Sequence, residues 1–201
     1  MDAVLFDFGG VLAEEGFRNG LLAIARGNGL DQEGFARTGF ELVYDLGYVL
    51  GRGDEGAFWK ALRERFPITA PDSALRNAIL SHFRLRPWML DIVRMLKKEG
   101  LGLAILSDQT NWLDELDSRH GFFRWFDHVF NSYHLGKSKK DASVFEDVLA
   151  HMGVQAGQAL FVDDHGAHID RAKGKGLHTL WYVDRKRFER ELASFCPHLN
   201  A

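Results

Sequence analysis

Five polar residues in this chain have side chains that could do chemistry together. They are one aspartate near the start, one serine, one lysine and an adjacent acidic pair: Asp7, Ser107, Lys139, Asp163 and Asp164. An aspartate in such a set is a candidate nucleophile or metal ligand, the serine offers a hydroxyl, and the lysine offers a positive charge. These side chains can act as one site only if the fold brings them together.

The segments before the aspartates and the serine are short apolar runs, which are typical of buried parallel strands. Such runs occur at residues 3–6, 103–106, 128–130, 159–162 and 179–182. Helical spacing lies between or after them, over about 89–98, 112–116, 144–152, 169–175 and 187–195. This alternation predicts an α/β fold, a doubly wound parallel sheet covered by helices on both faces. The carboxyl ends of its strands share one crevice, so the polar residues should meet there.

Residues from about 16 to about 84 interrupt the alternation. They contain no convincing strand, and their apolar residues recur at helical spacing, as Phe58, Leu62 and Phe66 do. We therefore predict a small helical insert between the first strand and the rest of the sheet.

Composition places the chain among ordinary globular proteins. Of its 201 residues 46% are hydrophobic and 26% are charged, and its formal net charge is -3. We expect no nucleic-acid or membrane partner, because the charge is not basic and no apolar run approaches the ~20 residues that span a bilayer. The chain opens without the pattern of a secretory signal, and its only cysteine, Cys196, cannot form an internal disulfide. A cytoplasmic location is the expectation.

Taken in chain order, the polar residues resemble the four motifs of the haloacid dehalogenase-like hydrolases. The motifs correspond here to Asp7 with residues 10–12, Ser107, Lys139, and Asp163-Asp164. Locally the chain is most similar to the branch that holds sugar 1-phosphate phosphatases and the phosphatase domain fused to epoxide hydrolases. Segments 7–11, 112–114, 136–139 and 161–164 have counterparts in that branch.

This resemblance implies an architecture and an activity. Residues 1–15 and 85–201 would form a Rossmann-like α/β core, and the insert at 16–84 would be a small helical cap. The implied enzyme is a phosphoric monoester hydrolase, a Mg²⁺-dependent phosphatase acting on a small phosphorylated metabolite. A sugar phosphate is one candidate substrate, and the protein would act as a monomer or a homodimer.

The resemblance also implies roles in phosphoryl transfer. Asp7 would attack phosphorus and carry an aspartyl-phosphate. Ser107, Asp108 and Lys139 would bind the phosphate oxygens, and Lys139 would also neutralise charge beside Asp7. Lys137 and Lys140 are alternatives to Lys139 in the same polar stretch, although the spacing to the following helix favours Lys139.

A metal site is implied by the same motifs. Mg²⁺ prefers oxygen ligands and would be held by Asp7, the main-chain carbonyl of Gly9 and Asp164, with water and substrate completing its coordination. Asp163 would orient the groups around the metal. The alternative, with Asp163 as the direct ligand in place of Asp164, stays open at this stage.

Two positions depart from the family pattern. Most phosphatases of the superfamily carry a second aspartate two residues after the nucleophile, where this chain has Gly9. Glycine keeps the carbonyl but supplies no proton, so a general acid is missing, although the sugar 1-phosphatase branch tolerates glycine here. His168 stands where asparagine or aspartate is usual. His165 and His168 could supply a base, or they could only support the acidic pair.

These departures leave two other functions open. One is a catalytically impaired member of the family that retains a binding or regulatory role. The other is a haloacid dehalogenase, which would use the same nucleophilic aspartate. The second is weaker, because that chemistry uses no metal and the Asp163-Asp164 pair favours one.

Overall fold

The computed structural model describes residues 1–195, so Cys196 lies outside the described part of the chain. Five parallel strands form one sheet in the order β3-β2-β1-β4-β5. The strands are β1 (Ala3–Phe6), β2 (Gly102–Ser107), β3 (His128–Asn131), β4 (Ala159–Asp163) and β5 (His178–Trp181). The helices are α1 (Gly16–Gly27), α2 (Gln32–Asp45), α3 (Glu55–Arg63), α4 (Asp72–Leu80), α5 (Pro87–Lys98), α6 (Trp112–His120), α7 (Ser132–Leu135), α8 (Ser143–Met152), α9 (Gly166–Gly174) and α10 (Arg185–Phe195).

The central strand β1 is flanked by β2 and β4. Phe6, its last residue, is in register with Ile105 on one side and Val162 on the other. The chain therefore reverses its direction of winding at β1, which places the crevice of a doubly wound sheet beside the end of this strand. The three strands followed by the polar residues are neighbours.

Alternate residues of the strands enter two separate cores. Val4 and Phe6 pack with one set of helices, whereas Leu5 packs with Phe161 and the helix residue Phe145 in the other. Side chains of successive strand residues point to opposite faces, so a sheet with both faces apolar must be covered twice. The predicted α/β class and doubly wound parallel sheet are confirmed.

Residues 16–84 form α1–α4 and one 3-10 turn at Tyr48–Leu50. The chain leaves and re-enters the sheet region at adjacent points, because Glu14 N donates to the Arg84 carbonyl at 2.9 Å and Arg86 N donates to the Leu12 carbonyl at 2.9 Å. Ala13 and Leu85 form an isolated antiparallel bridge at this crossing. This arrangement supports the interpretation of residues 16–84 as an inserted cap, and we use that name below.

Arg86 extends the crossing into the loop after Asp7. Its guanidinium donates to the carbonyls of Gly10 and Val11 and forms an ion pair with Glu14 at 3.1 Å. Both ends of the cap are thus fixed to the loop that follows the candidate nucleophile.

The structure differs from the sequence prediction at the ends of several elements. β5 covers His178–Trp181, one residue earlier than predicted, although Tyr182 N still donates to the Asp163 carbonyl at 2.9 Å as the next bond of the parallel ladder. The short helix α7 was not predicted. Among residues 1–195, no helix combines the length and the apolar character that crossing a lipid bilayer requires.

Candidate active site

Asp7 lies directly beyond β1 in a buried position. Its backbone N–H donates to the Val162 carbonyl at 2.9 Å, which continues the pairing of β1 with β4 by one residue. Its Oδ1 accepts the Phe8 N–H at 2.7 Å and lies 2.9 Å from Lys139 Nζ. Burial raises the pKa of Asp7, and the nearby carboxylates raise it further against the opposing charge of Lys139. Positive charge near Asp7 opposes this shift and favours the ionised carboxylate.

Lys139 supplies part of that charge. Its side chain is buried between two carboxylates, with Nζ 2.9 Å from Asp7 and 2.7 Å from Asp163. Burial alone would lower the pKa of Lys139, but the charges of Asp163 and Asp7 outweigh it and raise the pKa. The two neighbouring lysines have other contacts: Lys137 forms an ion pair with Asp147, and Lys140 lies over the Tyr44 ring. Only Lys139 of the three contacts Asp7.

The structure separates the acidic pair. Asp163, the last residue of β4, is fully buried and accepts from Lys139, from the His165 N–H at 2.7 Å and from His168 Nδ1 at 3.2 Å. Burial disfavours its charge, yet Lys139 and His168 lower the pKa of Asp163 to about 2. Asp164 follows in an exposed position on the cavity side. Asp163 thus holds Lys139 and the start of α9 in place, whereas the Asp164 side chain is open to a ligand in the cavity.

His168 contacts Asp163 and not Asp7 in this arrangement. Its ring lies 4.5 Å from that of His165, centroid to centroid, and both rings line the cavity. The contact of His168 with Asp163 is the kind that the supporting alternative expects, and both roles stay predictions.

Gly10 allows Asp164 to approach the loop after Asp7. Its φ of +83° is in the region that favours glycine. A Cβ at this position would also lie 2.0 Å from Asp164 Oδ2. Both the backbone conformation and the close approach therefore require glycine in the first motif.

Three carboxylates come close enough to share one cation. Oxygens of Asp7, Asp163 and Asp164 all lie within 4.8 Å of one another. An all-carboxylate set of this kind suits a hard cation such as Mg²⁺, and a cation would also relieve the repulsion among the three charges. The residues fit the predicted metal, and Gly9 lines the same cavity.

Ser107 and Asp108 follow along β2. Ser107 ends the strand in a buried position that lines the cavity. The carboxylate of Asp108 accepts the Lys139 N–H at 2.9 and 3.2 Å and the Tyr44 hydroxyl at 3.3 Å. The Asp108 side chain therefore holds the loop that carries Lys139. The group of Asp108 that could bind an anion is its backbone N–H.

A cavity of about 590 Å³ opens above these residues, between the sheet edge and the cap. No sequence pattern identified the cap side of its wall, which includes Phe17, Phe40, Tyr44 and Phe83. Helical spacing marks Phe40 and Tyr44 as one face of α2 but cannot tell whether that face meets a core or a cavity.

Comparison with known proteins agrees with this geometry. A family model described as haloacid dehalogenase-like hydrolase matches residues 1–174. The chain is 28% identical over 111 residues to bifunctional epoxide hydrolase 2 of Rattus norvegicus, covering 52% of this chain and 20% of the relative. The chain therefore spans about a fifth of that relative's length.

Solved structures share the fold. A haloacid dehalogenase (HAD) family enzyme from Bacteroides thetaiotaomicron has a TM-score of 0.75 at 20% identity, covering 91% of this chain and 94% of that one. A second crystal structure of that enzyme is a complex with magnesium and inorganic phosphate. An L-2-haloacid dehalogenase from Xanthobacter autotrophicus has a TM-score of 0.68 at 20% identity, covering 96% of this chain and 83% of that one.

The family model covers most of the chain, and the parallel sheet and motif order are those expected from the resemblance. This chain belongs to the haloacid dehalogenase-like hydrolases.

Proposed function

We propose that this chain is a Mg²⁺-dependent phosphatase that hydrolyses a small phosphorylated metabolite through an aspartyl-phosphate on Asp7. The observation that carries this proposal is the buried Lys139, whose ammonium lies 2.9 Å from Asp7, with Asp164 on the cavity side of the same cluster. The magnesium and phosphate complex of the Bacteroides thetaiotaomicron enzyme supports it.

The residues would act in two steps. A carboxylate oxygen of Asp7 forms a bond to phosphorus while the bond from phosphorus to the leaving oxygen breaks, and the leaving oxygen keeps the electron pair. Water then attacks the same phosphorus, the bond from phosphorus to the Asp7 oxygen breaks, and inorganic phosphate and the free Asp7 carboxylate are released. Lys139 reduces the repulsion between the Asp7 carboxylate and the anionic phosphoryl group, since both carry negative charge. The Ser107 hydroxyl and the backbone N–H groups of the Asp7 loop and Asp108 bind the phosphoryl oxygens.

Mg²⁺ would be held by Asp7, Asp164 and the Gly9 carbonyl, and would supply positive charge to the phosphoryl oxygens. Asp163 is the poorer direct ligand, because Lys139, His165 and His168 already occupy its oxygens. Its part in the proposal is to orient Lys139.

The variant Asp7→Asn tests the covalent step. Asparagine is nearly isosteric but cannot form the acyl phosphate, so turnover of sugar, acyl and aryl phosphates with Mg²⁺ should fall to background. Asp170→Asn is the matched control, because Asp170 is an exposed aspartate of α9 outside the cavity lining. Circular dichroism should show that both variants fold. Wild-type turnover by Asp7→Asn would exclude Asp7 as the nucleophile.

A catalytically impaired protein with a binding or regulatory role is the second candidate, and Gly9 favours it. The position of the missing acid faces the Phe83 ring, since a Cβ on Gly9 would lie 3.5 Å from Phe83 Cε1. Binding of phosphate with Mg²⁺ in calorimetry, without turnover of any substrate, would favour this candidate. A dehalogenase is less supported, because Asp164 lies beside Asp7. The cytoplasmic location and the choice between monomer and homodimer stay predictions.

A further inference from the structure

The cavity has two chemically different ends. The polar end holds Asp7, Ser107 and Lys139, where the phosphoryl group would bind. The wall contributed by the cap includes the apolar side chains Phe17, Phe40, Val43 and Val49, and Phe83, from the segment that follows α4, lies beside Gly9. Phe40 meets Phe17 edge to face at 5.0 Å and is still 38% exposed, although it is a large apolar side chain. An aromatic surface of this kind is open to a ligand.

The cationic side chains at the rim of the cavity already have contacts within the protein. Arg18 is paired with Glu33 at 2.7 Å, Lys140 lies 3.3 Å from the centre of the Tyr44 ring, and Arg171 donates to the Ala167 carbonyl at 3.1 Å. Two further lining residues, Glu41 and Asp45, are exposed carboxylates of α2. Negative charge at this rim disfavours a substrate with a second phosphate or a carboxylate.

The apolar part of the wall also favours an aromatic ring over a sugar. Each sugar hydroxyl that leaves water needs a hydrogen-bond partner, and phenylalanine and valine side chains offer none. An aromatic ring needs no such partner and can pack edge to face or offset against Phe17 and Phe40. The volume of about 590 Å³ is ample for one or two rings.

Phe83 adds a constraint at the reacting end. A Cβ on Gly9 would contact the Phe83 ring at 3.5 Å, and because residue 9 is glycine, no carboxyl group there protonates the leaving oxygen. A carboxylate or phenolate leaves with the electron pair of the broken phosphorus–oxygen bond and needs no proton to do so. Gly9 and the apolar wall therefore favour the same substrates for separate reasons.

We infer that the substrate is a monophosphate of an aromatic acid or phenol, bound with its ring against Phe17 and Phe40. The inference rests on the proposed phosphatase activity and specifies its substrate class.

Acetyl phosphate and benzoyl phosphate form a matched pair for the test, because both are acyl phosphates and differ in the ring. The KM for benzoyl phosphate should be at least about tenfold lower than that for acetyl phosphate, and glucose 1-phosphate should be the poorest of the three by kcat/KM. Phe40→Ala should raise the KM for benzoyl phosphate about tenfold and leave acetyl phosphate within about twofold. Leu135→Ala is the control, since Leu135 is 39% exposed but lies outside the cavity lining.

Calorimetry separates binding from turnover. Benzylphosphonate, which cannot be hydrolysed, should bind with Mg²⁺ more tightly than methylphosphonate, and Phe40→Ala should remove the difference. Equal KM values for the two acyl phosphates, or a higher kcat/KM for glucose 1-phosphate, would overturn the inference while the phosphatase stands. No turnover of any substrate, with tighter benzylphosphonate binding, would overturn the phosphatase but support the aromatic site. Equal binding of both phosphonates without turnover would overturn both.

Discussion

Gly9 is the residue whose chemistry departs furthest from the family pattern, and it makes a prediction about leaving groups. Without an acid at this position, turnover should depend strongly on the basicity of the leaving oxygen. Glucose 1-phosphate should therefore be hydrolysed faster than glucose 6-phosphate, two substrates that differ in the position of the phosphate and not in composition.

The variant Gly9→Asp should narrow that difference. Its Cβ would make an ordinary contact of 3.5 Å with Phe83, and Gly9 does not have a positive φ, so the variant should fold. Equal or faster hydrolysis of glucose 6-phosphate by the wild type, and also by His165→Ala and His168→Ala, would show that the missing acid does not limit the rate.

We expect substitution by asparagine to have different effects at Asp163 and Asp164, one on stability and the other on Mg²⁺ binding. Asp164→Asn should weaken Mg²⁺ binding by about tenfold or more, measured by calorimetry, because a charged oxygen ligand is lost at the exposed end of the cluster. Its free energy of unfolding should change little, since Asp164 has no buried ion pair.

Asp163→Asn should mainly affect stability. The substitution removes one of the two carboxylates that pair with the buried Lys139, so the free energy of unfolding in urea should fall by about 3 kcal/mol. A large loss of Mg²⁺ affinity in Asp163→Asn, with none in Asp164→Asn, would reverse the assignment of the direct ligand.

At the scale of elements, Tyr44 of α2 is linked through Asp108 to the loop that carries Lys139. The Tyr44 hydroxyl donates to Asp108 at 3.3 Å, and Asp108 accepts the Lys139 N–H. Burial raises the pKa of Tyr44, and Asp108 adds to the effect, so the hydroxyl stays protonated and can act as a donor. The position of Lys139 therefore depends in part on a helix of the cap.

Tyr44→Phe should lower kcat/KM by about fivefold. The substitution removes a hydrogen bond to Asp108 that contributes roughly 1 kcal/mol, and Asp108 helps to hold Lys139 in position. Tyr48→Phe is a matched control, since its hydroxyl donates to Asn111 at 2.6 Å and it does not line the cavity. The control should lose similar stability in thermal unfolding with unchanged turnover. Equal losses of turnover in both variants would mean that general loosening of the cap, and not the Asp108 contact, is responsible.

The strands and some of the site residues could be predicted from the sequence, but contacts between distant residues could not. Each strand was recognisable because an apolar run bounded by polar residues matches a strand buried on both faces, and only β5 was shifted by a residue. Asp7 and Lys139 were identified from motif order, which depends on chain sequence alone. The contact of Asp108 with Lys139 N joins residues 31 positions apart, and no local pattern records such a pair. The aromatic face of the cap was hidden for the same reason.

The whole molecule is organised around the crossing between core and cap. The bridge of Ala13 with Leu85 closes the insert at its base, and the polar end of the cavity is built from the sheet edge while the apolar end comes largely from residues between 16 and 84. Under the proposed function, the reacting groups and the groups that select the substrate therefore come from different stretches of the chain.

The closed base has an evolutionary consequence. Because the insert begins and ends at neighbouring points, its length and sequence can vary without moving the strands, and each doubling of its length adds only about 0.6 kcal/mol of loop-closure cost. Lineages of such a protein can therefore inherit the proposed phosphoryl-transfer centre unchanged and acquire new substrates by replacing one continuous stretch of gene.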